Sequence, residues 1–145
     1  MDQDTIIQYI VDTFSGVDVA RPTDGPGAGD TFFMYDPERN LDPKRKFPFA
    51  TIVTKDYGDF DNASRLDRPG VFRLNIGVRR ETFRSLFGDQ SGAGHDFAAL
   101  DQLMPHPVYA PQSWVCVLNP SPDTFETQVK PLLAEAYAMA ASRHR

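Results

Sequence analysis

The chain has 145 residues, of which 41% are hydrophobic and eleven are Phe, and its formal net charge is −5. A chain of this size and composition can bury a core, which argues against an intrinsically disordered protein. The net negative charge argues against a protein that binds nucleic acid over its whole surface, because nucleic-acid-binding proteins usually carry a basic face. We therefore predict one domain that spans residues 1–145.

Cysteine content and the N-terminal sequence bear on the cellular compartment. Cys116 is the only cysteine, which excludes an internal disulfide and fits a reducing compartment. Residues 1–4 lack the positive and apolar regions of a signal peptide, and no apolar run approaches membrane-spanning length. We predict a cytoplasmic protein without membrane contact.

Helical and strand patterns follow one another in the first third of the chain. Apolar residues recur at helical spacing over residues 6–14, which predicts an N-terminal helix. A short extended piece at 17–21 and a loop rich in Pro and Gly at 22–29 follow. Aromatic residues at 31–35 predict a strand, and the apolar segment 47–54 predicts a second, central strand.

The clearest strand is predicted at residues 71–78, where apolar and polar residues alternate. Its apolar face carries Phe72, Leu74, Ile76 and Val78. Arg73 and Asn75 lie on the other face, which we expect to be open to solvent. The preceding polar loop, residues 55–70, contains four Asp, whose side chains we expect to cap turns rather than to bind calcium.

Helices and one further strand are predicted in the second half. Two short helices are expected at 79–87 and 96–103, with a mobile Gly-rich segment at 90–95 between them. A buried strand carrying Trp114 follows, and the last element is a long helix. Its apolar stripe keeps its phase across Pro131, which indicates one kinked helix.

This order of elements predicts an α+β fold. We expect a mostly antiparallel sheet of about five strands, with the N- and C-terminal helices packed on one face.

Few residues offer catalytic chemistry. Cys116 lies in an apolar strand, where a thiol is structural, and the three His are not spaced for a zinc site. His106, flanked by prolines, either orients a ligand or, as we favour, hydrogen-bonds the backbone of its own turn. No cofactor and no metal is predicted.

An open sheet face with arginines is the remaining candidate site. Arginine presents a planar fork that suits carboxylate or phosphate groups, and aromatic side chains add a stacking face. The predicted ligand-binding residues are Arg73, Asn75, Arg79, His106, Tyr109 and Trp114. The alternative, which we weigh more heavily, is that the arginines pair with the Asp-rich loop and keep the surface soluble.

Several blocks of the sequence resemble a known family. Residues 106–140, with a turn, a strand that carries Trp114 and a helix that contains Glu135, resemble the MmcQ/YjbR-like proteins, whose fold is related to that of CyaY. Together with residues 48–53 and 67–78, the pattern looks like an uncharacterised bacterial domain of unknown function that neighbours that group. The resemblance implies a compact α+β fold and a role in DNA binding.

The sequence departs from that family at a position that matters for DNA. A basic residue commonly precedes the Trp in the family, whereas Gln112 and Ser113 stand here, and this weakens the DNA interpretation. We predict first a non-enzymatic binding or regulatory module for a protein or a small anionic ligand. The alternatives are weak nucleic-acid binding and a small hydrolase or transferase that uses His106, for which no nucleophile is visible.

Overall fold

The computed structural model describes residues 1–88 and 94–144. Within these residues six strands form one sheet: β1 (Val17–Ala20), β2 (Thr31–Tyr35), β3 (Ala50–Val53), β4 (Arg73–Gly77), β5 (Met104–Pro105) and β6 (Trp114–Leu118). The helices are α1 (Gln3–Thr13), α2 (Arg80–Phe87), the short α3 (Pro122–Thr124) and α4 (Lys130–Arg143), and a π-helical turn at Phe125–Val129 joins the last two. Single 3₁₀ turns lie at Pro43–Arg45 and Ala110–Gln112.

The sheet has the strand order β1-β2-β3-β4-β6-β5, and every neighbouring pair is antiparallel. This confirms the predicted α+β class. The described residues contain six strands rather than about five, because Met104–Pro105 adds a two-residue strand beside β6.

The predicted helix at 96–103 is wrong, since the structure has turns and bends there. Tertiary hydrogen bonds take the backbone groups that a helix would use. Arg68 Nη2 donates to the carbonyl oxygen of Ala98 at 2.9 Å, and the N–H of Asp101 donates to the carbonyl oxygen of Leu118 at 2.7 Å. Asp101 also has a φ of 57°, which no α-helix accommodates. Of the loop predicted to be mobile, residues 90–93 lie outside the described part of the chain.

The main core lies between the sheet and the terminal helices. Ile6 and Ile10 of α1, and Phe125 and Leu133 of the C-terminal helical segment, belong to it. The alternating residues of the predicted strand 71–78 belong to the same core: Phe72, Leu74, Ile76 and Val78. The predicted apolar face of this strand is therefore confirmed.

The C-terminal segment stays helical across Pro131, as its apolar phase predicts. Proline lacks an N–H, and its ring clashes with the carbonyl four residues earlier, which here is that of Thr127. The π-helical turn immediately before it gives this carbonyl more room, since the N–H of Lys130 bonds to Phe125 five residues back. No helix of the described residues has both the length and the hydrophobicity to cross a membrane.

The opposite face of the sheet is largely covered. A smaller apolar cluster packs there, made of Val53, Leu66, Met104, Cys116 and Leu118. Arg73 is only 1% exposed, so the expectation that its side of β4 is open to solvent is wrong. The physical reason is that the Asp-rich loop folds back over this face and supplies a carboxylate to the guanidinium.

Gly77 provides a test of the packing between β4 and β6. It lies opposite Trp114 in the sheet, and a Cβ at position 77 would lie 3.0 Å from Cε2 of the indole. We expect Gly77→Ala to displace the indole and to lower the free energy of unfolding by about 1–3 kcal/mol. Urea unfolding followed by the fluorescence of Trp114 measures this change.

Gly27→Ala is the matched control. A Cβ there would meet no atom closer than 3.4 Å, and φ of Gly27 lies outside the left-handed region. An unfolding midpoint of Gly77→Ala that shifts no more than that of Gly27→Ala would contradict the close approach.

Candidate functional site

A concave cleft lies on the sheet face opposite α1 and α4. Its volume is about 740 Å³, within the range of small-molecule sites. Six aromatic side chains line it: Phe32, Phe47, Tyr57, Phe60, Tyr109 and Trp114. Polar residues form its floor: Thr51, Asp61, Arg73, Asn75 and His106. Aromatic walls around a few polar groups are typical of a ligand site.

An ion pair between Arg73 and Asp61 forms the centre of the floor. Arg73 Nη1 donates to Asp61 Oδ1 at 3.0 Å, and Nη2 donates to Oδ2 at 2.6 Å. Both side chains are buried. This two-bond geometry is the strongest arrangement between a guanidinium and a carboxylate, and it offsets part of the cost of removing both charges from water.

Neighbouring polar groups complete the network around Arg73. Its Nε donates to Asn75 Oδ1 at 2.8 Å, and its Nη1 donates to Ser64 Oγ at 2.9 Å. Asn75 Nδ2 in turn donates to Thr51 Oγ1 at 2.9 Å, because the two residues are directly opposite in β4 and β3. The guanidinium is therefore engaged inside the protein, and for Arg73 the pairing with the Asp-rich loop is confirmed.

His106 joins the floor to the turn that precedes β6. Its Nδ1 accepts the backbone N–H groups of Val108 and Tyr109 at 3.0 and 2.9 Å, which confirms the predicted bonding to its own turn. Its Nε2 lies 3.3 Å from Arg73 Nη2. Burial, reinforced by the positive charge of Arg73, lowers the pKa of His106 to about 3. The imidazole is therefore neutral at physiological pH and a weak base.

The aromatic walls are held by contacts of their own. The Tyr57 hydroxyl donates to Asp30, and burial together with this carboxylate raises the pKa of Tyr57, so the phenol stays protonated. The ring of Tyr109 packs on the His106 ring, with 5.1 Å between centroids. Phe60 lies 6.2 Å from Tyr109 between ring centroids. Tyr109 and Phe60 are thus held through His106 of the floor, whereas Tyr57 is held by Asp30.

The structure brings five of the six predicted ligand-binding residues together: Arg73, Asn75, His106, Tyr109 and Trp114. Trp114 lies on β6, which pairs with β4, and this pairing places its indole on the same side of the sheet as Arg73 and Asn75.

Arg79 lies apart from this cleft, just beyond the end of β4. Its backbone N–H donates to Glu135 Oε2 at 2.9 Å. Its side chain lines a second concave region of about 790 Å³, together with Arg45, Arg80 and Arg143.

Sequence reasoning missed most of the walls. Phe32, Phe47, Tyr57 and Phe60 were counted as strand or loop residues, yet Phe47 is 77% and Phe60 is 64% exposed. The available signal was the position of Phe60 directly between Asp59 and Asp61, two carboxylates that favour a solvent-exposed site for the ring between them. From the sequence alone, the ion-pair partner of Arg73 could be any of the four Asp in that loop.

Catalytic groups are scarce around the cleft. Burial raises the pKa of the Cys116 thiol to about 12, so this thiol is not a nucleophile at neutral pH. Over residues 1–88 and 94–144, no group of three or more His, Cys, Asp or Glu could hold a metal ion. A general acid or base works best with a pKa near the working pH, and the lowered pKa of His106 lies well below it.

Comparison with known protein families gave a match over the whole sequence. The family whose model matches residues 1–145 is described as a family of unknown function (DUF6194). No curated protein and no solved structure matches the chain.

The buried ion pair predicts a specific pattern of stability. Arg73→Met leaves the Asp61 carboxylate buried without its partner, and we expect the free energy of unfolding to fall by about 3–5 kcal/mol. The double variant Arg73→Met/Asp61→Leu buries no unpaired charge and should recover much of this loss. Arg21→Met, which removes an exposed arginine 3.9 Å from Asp4, is the control and should change little.

Urea denaturation of the four proteins measures the effect. If the single and double variants lost the same free energy of unfolding, the packing of the Arg73 side chain, and not its charge, would stabilise this face of the sheet.

The lowered pKa of His106 predicts a pH dependence of stability. The folded protein keeps His106 neutral down to about pH 3, while the unfolded chain binds a proton near its usual pKa of 6.5. The unfolded state therefore binds more protons between these values, and stability falls as the pH falls. This one group contributes a slope of up to about 1.4 kcal/mol per pH unit.

His106→Asn, whose amide cannot titrate, should lose this slope. Asn also keeps an acceptor near the position of Nδ1 for the two backbone N–H groups. Unfolding curves of both proteins between about pH 5 and pH 6.5, where His titrates apart from most carboxylates, measure the difference. Parallel pH profiles would contradict the buried neutral imidazole.

Proposed function

The chain belongs to DUF6194, a family of unknown function, and we propose that its aromatic cleft binds a small planar molecule without net charge. The observation that carries this proposal is the six aromatic side chains around a concave, hydrogen-bonding floor. Such walls offer stacking surfaces, and the floor offers groups that fix orientation.

The exposure of the aromatic rim supports binding. Phe47 and Phe60 are mostly exposed, and Tyr109 is 43% exposed. All three lie on the same cleft. A contiguous exposed apolar patch is unfavourable in water and is typical of an interaction site. A flat ligand that covers this rim would bury apolar area at each of the three rings.

The charges of the cleft favour a ligand without net charge. Asp61 and Arg73 are the acidic and basic side chains among the described lining residues, and each neutralises the other. An anion would find the guanidinium already engaged and the Asp61 carboxylate close by. The sequence predicted a protein or a small anionic ligand, and the engaged guanidinium is the reason to prefer a neutral molecule.

Nucleic-acid binding is the second candidate, because bases stack on aromatic side chains of open sheets. Around this cleft, however, the described lining residues include no basic group beyond the paired Arg73. A relationship to MmcQ/YjbR-like proteins, and the DNA binding that it would imply, stays a proposal that the matching sequence blocks alone support. Enzymatic use of His106 has the weakest support, because Nδ1 is occupied by the turn.

A neutral fluorescent probe tests the proposal. N-phenyl-1-naphthylamine should gain fluorescence on the protein and quench Trp114, the only Trp of the chain. Phe47→Ser and Phe60→Ser each remove one exposed ring and should weaken binding about threefold to tenfold, the loss expected for one aromatic contact.

Leu86→Ser is the control, because Leu86 is also an exposed apolar residue but does not line the cleft. It should bind the probe as the native chain does. Equal affinity in all four proteins would overturn the proposal. Tight binding of a single-stranded DNA of about ten nucleotides at low salt, lost in Phe60→Ser, would favour nucleic acid instead.

A further inference from the structure

The imidazole of His106 is held in one tautomer. Nδ1 accepts two backbone N–H groups, from Val108 and Tyr109. These donors belong to the backbone of the turn and cannot rotate away, so Nδ1 carries no proton. A neutral imidazole then carries its proton on Nε2, which becomes a donor.

The Nε2–H of His106 faces a second donor. Arg73 Nη2 lies 3.3 Å from it, and a guanidinium has no acceptor atom. Four other N–H groups of Arg73 have acceptors, which are Asn75 Oδ1, Ser64 Oγ and the two oxygens of Asp61. One N–H of Arg73 and the Nε2–H of His106 therefore lie side by side, and neither group supplies the acceptor that both require.

We propose that a carbonyl oxygen of the ligand accepts hydrogen bonds from Arg73 Nη2 and His106 Nε2 together. This inference rests on the proposed function, because both residues line the cleft. Both side chains are almost completely buried, at 1% and 2% exposed. A buried donor without an acceptor destabilises a protein, and one oxygen between the two donors would satisfy both.

The surroundings select an uncharged oxygen. Asp61 Oδ2 lies 2.6 Å from the same Nη2, so a ligand carboxylate would be placed beside a buried negative charge. The oxygen of a ketone, an amide or a lactam has lone pairs without that charge. The ligand class is therefore a planar ring system with a carbonyl group at its buried edge, and the remaining rings lie against the aromatic rim.

The tautomer is tested first. Long-range ¹H–¹⁵N spectra of protein labelled at histidine should show His106 with a bare Nδ1 and a protonated Nε2. A proton on Nδ1 would overturn the inference, because Nε2 could then accept from Arg73 and no second acceptor would be needed.

A matched ligand pair tests the carbonyl. Acetophenone and α-methylstyrene have nearly the same shape, but only the first has an oxygen acceptor. The preference for acetophenone is the Kd of α-methylstyrene divided by the Kd of acetophenone. We expect this preference to be about tenfold larger in the native chain than in His106→Asn. The Asn variant keeps the acceptor for the turn but has no donor at the Nε2 position. His106→Gln, which places an amide N–H near that position, should restore part of this preference. Benzoate should bind more weakly than acetophenone.

Chemical shifts of the Trp114 indole N–H and of His106 Nε2–H report the binding. If both compounds shift Trp114 and the Kd ratio is the same in native protein and His106→Asn, an ordered water serves the two donors and this inference is wrong, while the proposed function stands. If neither compound shifts Trp114 and the naphthylamine probe does not bind, both proposals fail.

Discussion

The buried ion pair between Arg73 and Asp61 is the constraint on which this face of the sheet depends. Arg73 is in β4, near the middle of the strand order, and Asp61 is in the loop that covers it. Burying both charges is favourable only because Ser64 and Asn75 complete the hydrogen bonds. The pair therefore fastens the loop to the sheet, and it also removes net charge from the floor of the cleft.

The ion pair holds the Asp-rich loop against the sheet, and the loop in this position both covers β4 and forms one wall of the cleft. Tyr57 and Phe60 enter the wall because the loop returns across β4, and His106 and Tyr109 close the other side. The aromatic groups thus surround polar groups whose hydrogen bonds are nearly all made within the protein. The exception is the pair of donors at Arg73 and His106, and the proposed preference for a carbonyl oxygen rests on this pair.

Local periodicity predicted most of the helices and strands. The features that the sequence did not predict depend on contacts between residues far apart in the chain. Alternation in 71–78 depends only on side-chain direction, so it correctly placed Leu74 in the core and Arg73 on the other face. The cover over Arg73 depends on a contact with Asp61, twelve residues away, and no periodicity reports such a contact. The helix predicted at 96–103 failed for the same reason, because the Ala98 carbonyl and the Asp101 N–H bond to groups distant in sequence. Trp114 shares the cleft with Arg73 and Asn75 because strand pairing places β6 beside β4.

The two-residue strand β5 bears on the exposed edges of the sheet. It forms one edge of the sheet and ends in Pro105, which has no N–H to offer an incoming strand. At the other edge, Asp18 of β1 pairs with Arg39 and Lys46, which places charge along that border. Short length, proline and charge are the features by which sheet edges avoid joining other chains, so both borders resist the intermolecular strand addition that begins fibril growth.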